Sequence, residues 1–95
     1  MKHHILVKWN EKATDKQQLR REAEELFQGV LTVPGVTGVE VKPNVVDRPN
    51  RYDLLILITM APDALKAYDA CEVHHTWKER YEPLFAAKCI FECDD

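Results

Sequence analysis

No run of apolar residues in this sequence is long enough to cross a bilayer, so no membrane partner is expected. Positive charge is not in excess either. Thirteen Lys and Arg stand against 16 Asp and Glu, a net charge of −3. Little is left to neutralise phosphates, and nucleic acid is not an expected partner. The opening Met1-Lys2-His3-His4 runs straight into Ile5, without the apolar core and small-residue cleavage site of an export signal. The expected location is cytoplasmic. Cysteine is scarce and odd in number, with only Cys71, Cys89 and Cys93; this argues against a disulfide framework. Cys89 and Cys93 lie four apart on a strand-like segment, which puts them roughly 13 Å from each other and beyond disulfide reach. They read as small apolar strand residues. Neither Cys-x-x-Cys nor His-Glu-x-x-His occurs, so no metal is expected, although Cys71, His74 and His75 are close in sequence. Nucleotide loops, phosphate loops and serine-nucleophile motifs are missing. No cofactor is expected.

What remains is a globular composition, 45% hydrophobic and 31% charged, over 95 residues. That suits one domain, residues 1–95, with a thin core. Its most apolar stretch is Tyr52 to Met60, where Thr59 alone interrupts the apolar residues from Leu54 onward. Side chains on a strand alternate between faces, so Leu55 and Leu57 share one side and Leu54, Ile56, Ile58 and Met60 the other. Both sides are greasy, which marks a central strand. His3, Ile5, Val7 and Trp9 alternate with His4, Leu6 and Lys8 in a first strand. Thr14 and Gln17 form a capping-box pattern that starts a helix. Leu19, Ala23, Leu26, Phe27 and Val30 give it one apolar stripe. Pro34-Gly35 is a turn, and Val39 and Val41 mark a weaker edge strand closed by Pro43, with Gly38 at a bulge. Pro62 opens a short helix through Tyr68, a break follows over Asp69 to Val73, and His74, Trp77 and Tyr81 share a second helical face. Ala87 to Cys93 alternates again as an edge strand.

The order strand, helix, strand, strand, helix pair, strand is the split βαβ or ferredoxin-like plan, an α+β fold with a four-stranded antiparallel sheet. The first and third strands sit centrally in it. Helices cover one sheet face and leave the other open. A second copy packed on that open face, a homodimer, would close a shared barrel-like core.

Four segments resemble the stress-responsive A/B barrel domain (Dabb) family, small dimeric α+β barrels: His3-His4-Ile5-Leu6-Val7-Lys8; Pro34-Gly35-Val36 leading to Val39 and Asn44; Tyr52-Asp53 before the apolar run; and Tyr68, His74, Trp77 and Pro83-Leu84. The resemblance covers His3 to about Phe91. Cys71-Glu72 departs from the family's His-Pro dipeptide, Lys42 replaces an expected glycine, and His75 is an additional imidazole. A plant branch of the family consists of cofactor-free polyketide cyclases in which a tyrosine and a histidine drive an intramolecular aldol closure. Tyr68 and His74 match those positions. The resemblance thus implies a small hydrophobic carbonyl or polyketide-like ligand, with His74 as base and Tyr68 as hydrogen-bond donor to the forming enolate. His3 lies on the apolar face of its strand, where it could line the same cavity. Ile5, Val7, Phe27, Leu55, Leu57, Trp77 and Tyr81 are the expected apolar walls between sheet and helices. Asp53 could orient a histidine. Each of these has a plainer structural alternative: a backbone-bonded histidine, a core aromatic, or, for Asp53, a surface ion pair. A non-catalytic structural, stress-response or partner-binding dimer is the competing functional reading.

Overall fold

The computed structural model describes residues 1–95. Strand β1 (Lys2–Trp9) leads to helix α1 (Lys16–Phe27), whose last turn tightens into a 3₁₀ segment over Gln28–Thr32. Strands β2 (Val36–Pro43) and β3 (Leu54–Met60) follow. A 3₁₀ turn at Pro62–Ala64 opens helix α2 (Leu65–Asp69), helix α3 (Glu72–Tyr81) comes next, and strand β4 (Phe85–Cys93) closes the chain after a 3₁₀ turn at Glu82–Leu84. The sheet order is β2-β3-β1-β4, with every pairing antiparallel. This is the ferredoxin-like α+β plan, with the two most apolar strands at its centre.

Register settles which sheet face carries the core. His3 pairs with Ile58, Ile5 with Ile56 and Val7 with Leu54, and all six are buried. With Trp9 they form the floor of the core, and Ala23, Phe27, Val30, Tyr68, Trp77 and Tyr81 from the helices cover it. Leu6 pairs with Leu55 and His4 with Leu57 on the opposite face, where these side chains are half-buried. On the same face, Cys89 and Phe91 of β4 oppose Leu6 and His4, and Phe91 is 58% exposed. The expectation that Leu55 and Leu57 wall the cavity under the helices is therefore corrected: they belong to the open face. β3 is apolar on both sides, so its phase is set by its partner β1 rather than by its own pattern.

Local signals shift some boundaries. The α1 cap is Asp15, not Thr14: its carboxylate accepts the Gln18 N–H at 3.0 Å and satisfies a helix-end donor that a hydroxyl at Thr14 does not reach. The break between α2 and α3 is only Ala70 and Cys71, so α3 begins two residues before His74. The β2 irregularity falls between Val36 and Gly38, where the ladder with β3 shifts register. Asp53 forms the expected ion pair, its Oδ1 3.1 Å from Lys16 Nζ, while its Oδ2 accepts the Trp9 N–H at 2.8 Å. The three cysteines are free, and Cys89 is exposed rather than packed as an apolar strand residue.

Candidate functional site

Tyr68 sits at the end of α2, in the last turn before the chain reverses into α3. Its ring lies between two imidazoles, with centroid separations of 5.3 Å to His3 and 5.1 Å to His74. The residue is 1% exposed, and its hydroxyl has no hydrogen-bond partner. A buried hydroxyl without a partner is costly, about 1–3 kcal/mol, and such groups call for a specific explanation. Burial, with smaller contributions from Cys71 and Asp69, raises the Tyr68 pKa far above its ordinary value of 10.0. The phenol therefore stays protonated and is a hydrogen-bond donor at any physiological pH.

His3, the second residue of β1, is 5% exposed. Its Nδ1 is 2.8 Å from Glu92 Oε2 on the neighbouring strand β4. Glu92 reaches it because the β1–β4 register sets the two residues directly opposite. A carboxylate only accepts, so Nδ1 carries the hydrogen and Nε2 keeps a free lone pair. Burial lowers the His3 pKa below 6.5; Glu92, by hydrogen bond and charge, and Asp69 oppose the shift, and His74 adds to it. His3 is thus a neutral imidazole near neutrality. His74, in the first turn of α3, is fixed in the same way. Its Nδ1 is 2.9 Å from the main-chain oxygen of Asp69, which can only accept, so in the neutral ring the lone pair is on Nε2.

Around these three rings is a cavity of about 130 Å³ lined by His3, Ile5, Tyr68, Asp69, His74, Trp77, Lys78, Lys88 and Ile90. The structure therefore brings together His3, Ile5, Tyr68, His74 and Trp77 from the sequence-predicted set. It does not bring Val7, Phe27 or Tyr81 to the cavity. Val7 and Phe27 are fully buried core, with the Phe27 ring 5.1 Å from Trp77. Tyr81 donates its hydroxyl to Glu22 Oε1 at 2.8 Å, tying α3 to α1; burial and that carboxylate push its pKa up to about 12. Leu55 and Leu57 lie across the sheet, as described above.

Sequence reasoning missed Glu92, Lys78 and Lys88. Alternation along β4 puts Lys88, Ile90 and Glu92 on one face, and counting residues from the β1–β4 pairing would have placed Glu92 opposite His3. A larger hollow of about 600 Å³ opens at the other end of the sheet, between the start of α1 and the β2–β3 loop. Among its charged groups, Lys16 is paired with Asp53 and Arg20 with Glu24, while Asp47 makes no ion pair. No three His, Cys, Asp or Glu side chains are grouped to hold a metal ion.

No family model matches the chain's sequence, and no curated protein matches it. Its fold, however, is shared with solved structures. A dimeric protein of unknown function and ferredoxin-like fold from Bacteroides fragilis superposes with a TM-score of 0.79 at 13% identity, over 99% of this chain and 94% of that one. A dabb family protein with a ferredoxin-like fold from Mesorhizobium loti gives 0.65 at 12% identity, over 99% and 94%. A putative antibiotic biosynthesis monooxygenase from Bacteroides thetaiotaomicron gives 0.75 at 16% identity, over 100% and 88%. The chain thus has the ferredoxin-like α+β fold of these proteins, the fold that the dabb resemblance implied.

Proposed function

We propose that this chain is a stress-responsive A/B barrel protein that works as a homodimer joined through its open sheet face, and that each subunit binds a small carbonyl compound against Tyr68. The observation that carries the reading is the unpartnered Tyr68 hydroxyl, buried between two imidazoles. The hydroxyl is closed to solvent in the unligated chain; once the neighbouring rings shift to admit a ligand, its carbonyl would accept that hydrogen and give the phenol the partner it lacks. Both imidazoles hold their Nε2 lone pairs available because Glu92 and the Asp69 carbonyl occupy their Nδ1–H groups.

The chemistry this arrangement suits is proton abstraction next to the carbonyl. The C–H bond breaks, its proton passes to an imidazole Nε2, and the electron pair moves through the new carbon–carbon double bond onto the carbonyl oxygen. The Tyr68 Oη–H then stabilises the growing negative charge, as a preorganised donor does more strongly than water. His3, backed by a carboxylate, and His74, backed by a main-chain oxygen, are the two candidate bases. Each uses a positioned group to fix its tautomer, as general bases require. The resulting enolate is the common intermediate of aldol closure and of lyase reactions, and the step uses only the chain's own groups.

The test is thermal-shift and calorimetric screening with small aldehydes and ketones, repeated on Tyr68→Phe, His3→Ala and His74→Ala. Binding lost on removing the Tyr68 hydroxyl, and turnover lost on removing one imidazole, support the reading. A proven ligand bound equally by wild type and Tyr68→Phe contradicts it. The competing reading, a non-catalytic dimer with inert histidines, draws on the ordinary backbone tie of His74 to Asp69; it predicts that both histidine variants handle every ligand as wild type does.

A further inference from the structure

On the reading that two copies meet through the open sheet face, one histidine on that face acquires a role. The face has a knob at one edge, Phe91 of β4, 58% exposed. Towards the other edge it has a hollow of about 350 Å³ whose lining includes Leu6, Lys42, Val45, Tyr52 and Leu55. A two-fold interface uses the same patch twice, so each copy can seat its knob in the other's hollow. His4 lies beside the knob. Its ring is 5.9 Å from the Phe91 ring, edge-on, and its Nδ1–H donates to the Phe91 carbonyl at 3.1 Å. On its other side it opposes Leu57. A copy that covers Phe91 and Leu57 therefore covers His4.

The neutral ring suits that position and the charged ring does not. With Nδ1–H on a carbonyl, an added proton goes to Nε2 and brings a positive charge. Around His4 on this face stand Lys2 and Leu6 of β1, Leu55, Leu57 and Thr59 of β3, and Cys89, Phe91 and Cys93 of β4. None is a carboxylate. Glu40, the one strand carboxylate on the face, is beyond Leu57 on β2 and is held 3.4 Å from Lys42. Lys8 turns its ammonium to the Pro49 and Arg51 carbonyls. A second copy brings only this same set, so a covered imidazolium has lysines and apolar groups about it and no free counter-ion, which makes its burial costly.

We propose that His4 makes the pairing of two copies pH-dependent, the dimer holding while the imidazole is neutral and separating when it takes up a proton. The dimer then binds fewer protons than two monomers, and its affinity falls as the pH drops through the range in which imidazoles titrate. Each excluded proton changes Kd by up to about tenfold per pH unit, and a dimer carries two such imidazoles. Sedimentation over a concentration series at pH 7.5 and pH 5.5, on wild type, His4→Gln and His4→Leu, reads the effect, with circular dichroism as the check that each is folded. Wild-type Kd should rise at least about tenfold at the lower pH. Both variants should stay dimeric at both pH values with little change in Kd, which separates His4 from His3 on the opposite face. A wild-type dimer of equal affinity at the two pH values, one that tightens at pH 5.5, or a pH dependence that both variants retain overturns the role of His4 and leaves the dimer standing. A monomer at both pH values overturns the dimer reading and this role with it.

Discussion

A buried hydroxyl with no acceptor is the residue on which function and stability pull in opposite directions. For a purely structural tyrosine, Phe at position 68 would be a small loss. Here the hydroxyl has nothing to bond to within the chain, so Tyr68→Phe should leave the unligated protein as stable as wild type or stabilise it by about 1 kcal/mol. Urea midpoints check this, and a clear loss of stability would show that the hydroxyl has a structural partner. His3 gives a pH signature. Because burial depresses its pKa below 6.5 in the fold, the unfolded chain binds this proton first as pH falls. Its contribution is fully present above about pH 6.5, declines as the pH drops through the lower folded-state value, and levels off beneath it. His3→Gln should lack that segment of the stability–pH curve. Glu92→Gln should depress the His3 pKa further, since Glu92 supports the protonated form; NMR titration of the imidazole reads this directly, and an upward shift would contradict the pairing. Glu92 itself was not legible as a site residue. A charge on an edge strand is ordinarily solvated, and its partner is 89 positions away.

Among the elements, the strands were the most legible. The alternation of His3 to Trp9 and the apolar run from Leu54 identified the two central strands, and the observed sheet order agrees. The phase of β3 was not legible, because Leu55 and Leu57 are as apolar as Ile56 and Ile58; only the pairing with β1 decides which pair meets the helices. The α1 start was read one residue early because Thr14 and Asp15 are both good caps, and the choice between them is made by the backbone. Asp15→Ala should cost about 1 kcal/mol. The Pro34-Gly35 turn is less forgiving. Gly35 has φ of +91°, and an added Cβ would lie 2.8 Å from Ala64 Cβ, at the base of α2. Gly35→Ala should therefore destabilise by more than the ordinary cost of about 1 kcal/mol for a strained backbone position, measured by thermal melting; an unchanged melting temperature would mean that the turn and α2 move apart freely.

The molecule as a whole assigns different work to the two faces of one sheet. The helix-covered face holds the core and, at its His3 end, the small cavity. The open face sets Leu6, Leu55, Leu57 and Phe91 together with only partial cover, the kind of apolar patch that marks an interface. Leu57→Lys should convert a dimer to a folded monomer, seen by sedimentation; a wild-type protein that is monomeric at micromolar concentration would contradict the proposed assembly. The open apolar face was foreseeable from a greasy β3 and too few helices, whereas the cavity depends on where three rings from β1, α2 and α3 converge, which no local pattern encodes. The central claim is that a ligand carbonyl supplies the acceptor missing from Tyr68. The most direct measurement is the ¹³C NMR spectrum of a carbonyl-labelled probe bound to wild type and to Tyr68→Phe. The account predicts a downfield carbonyl shift on binding to wild type that disappears with the hydroxyl; the same bound shift in both proteins would contradict it.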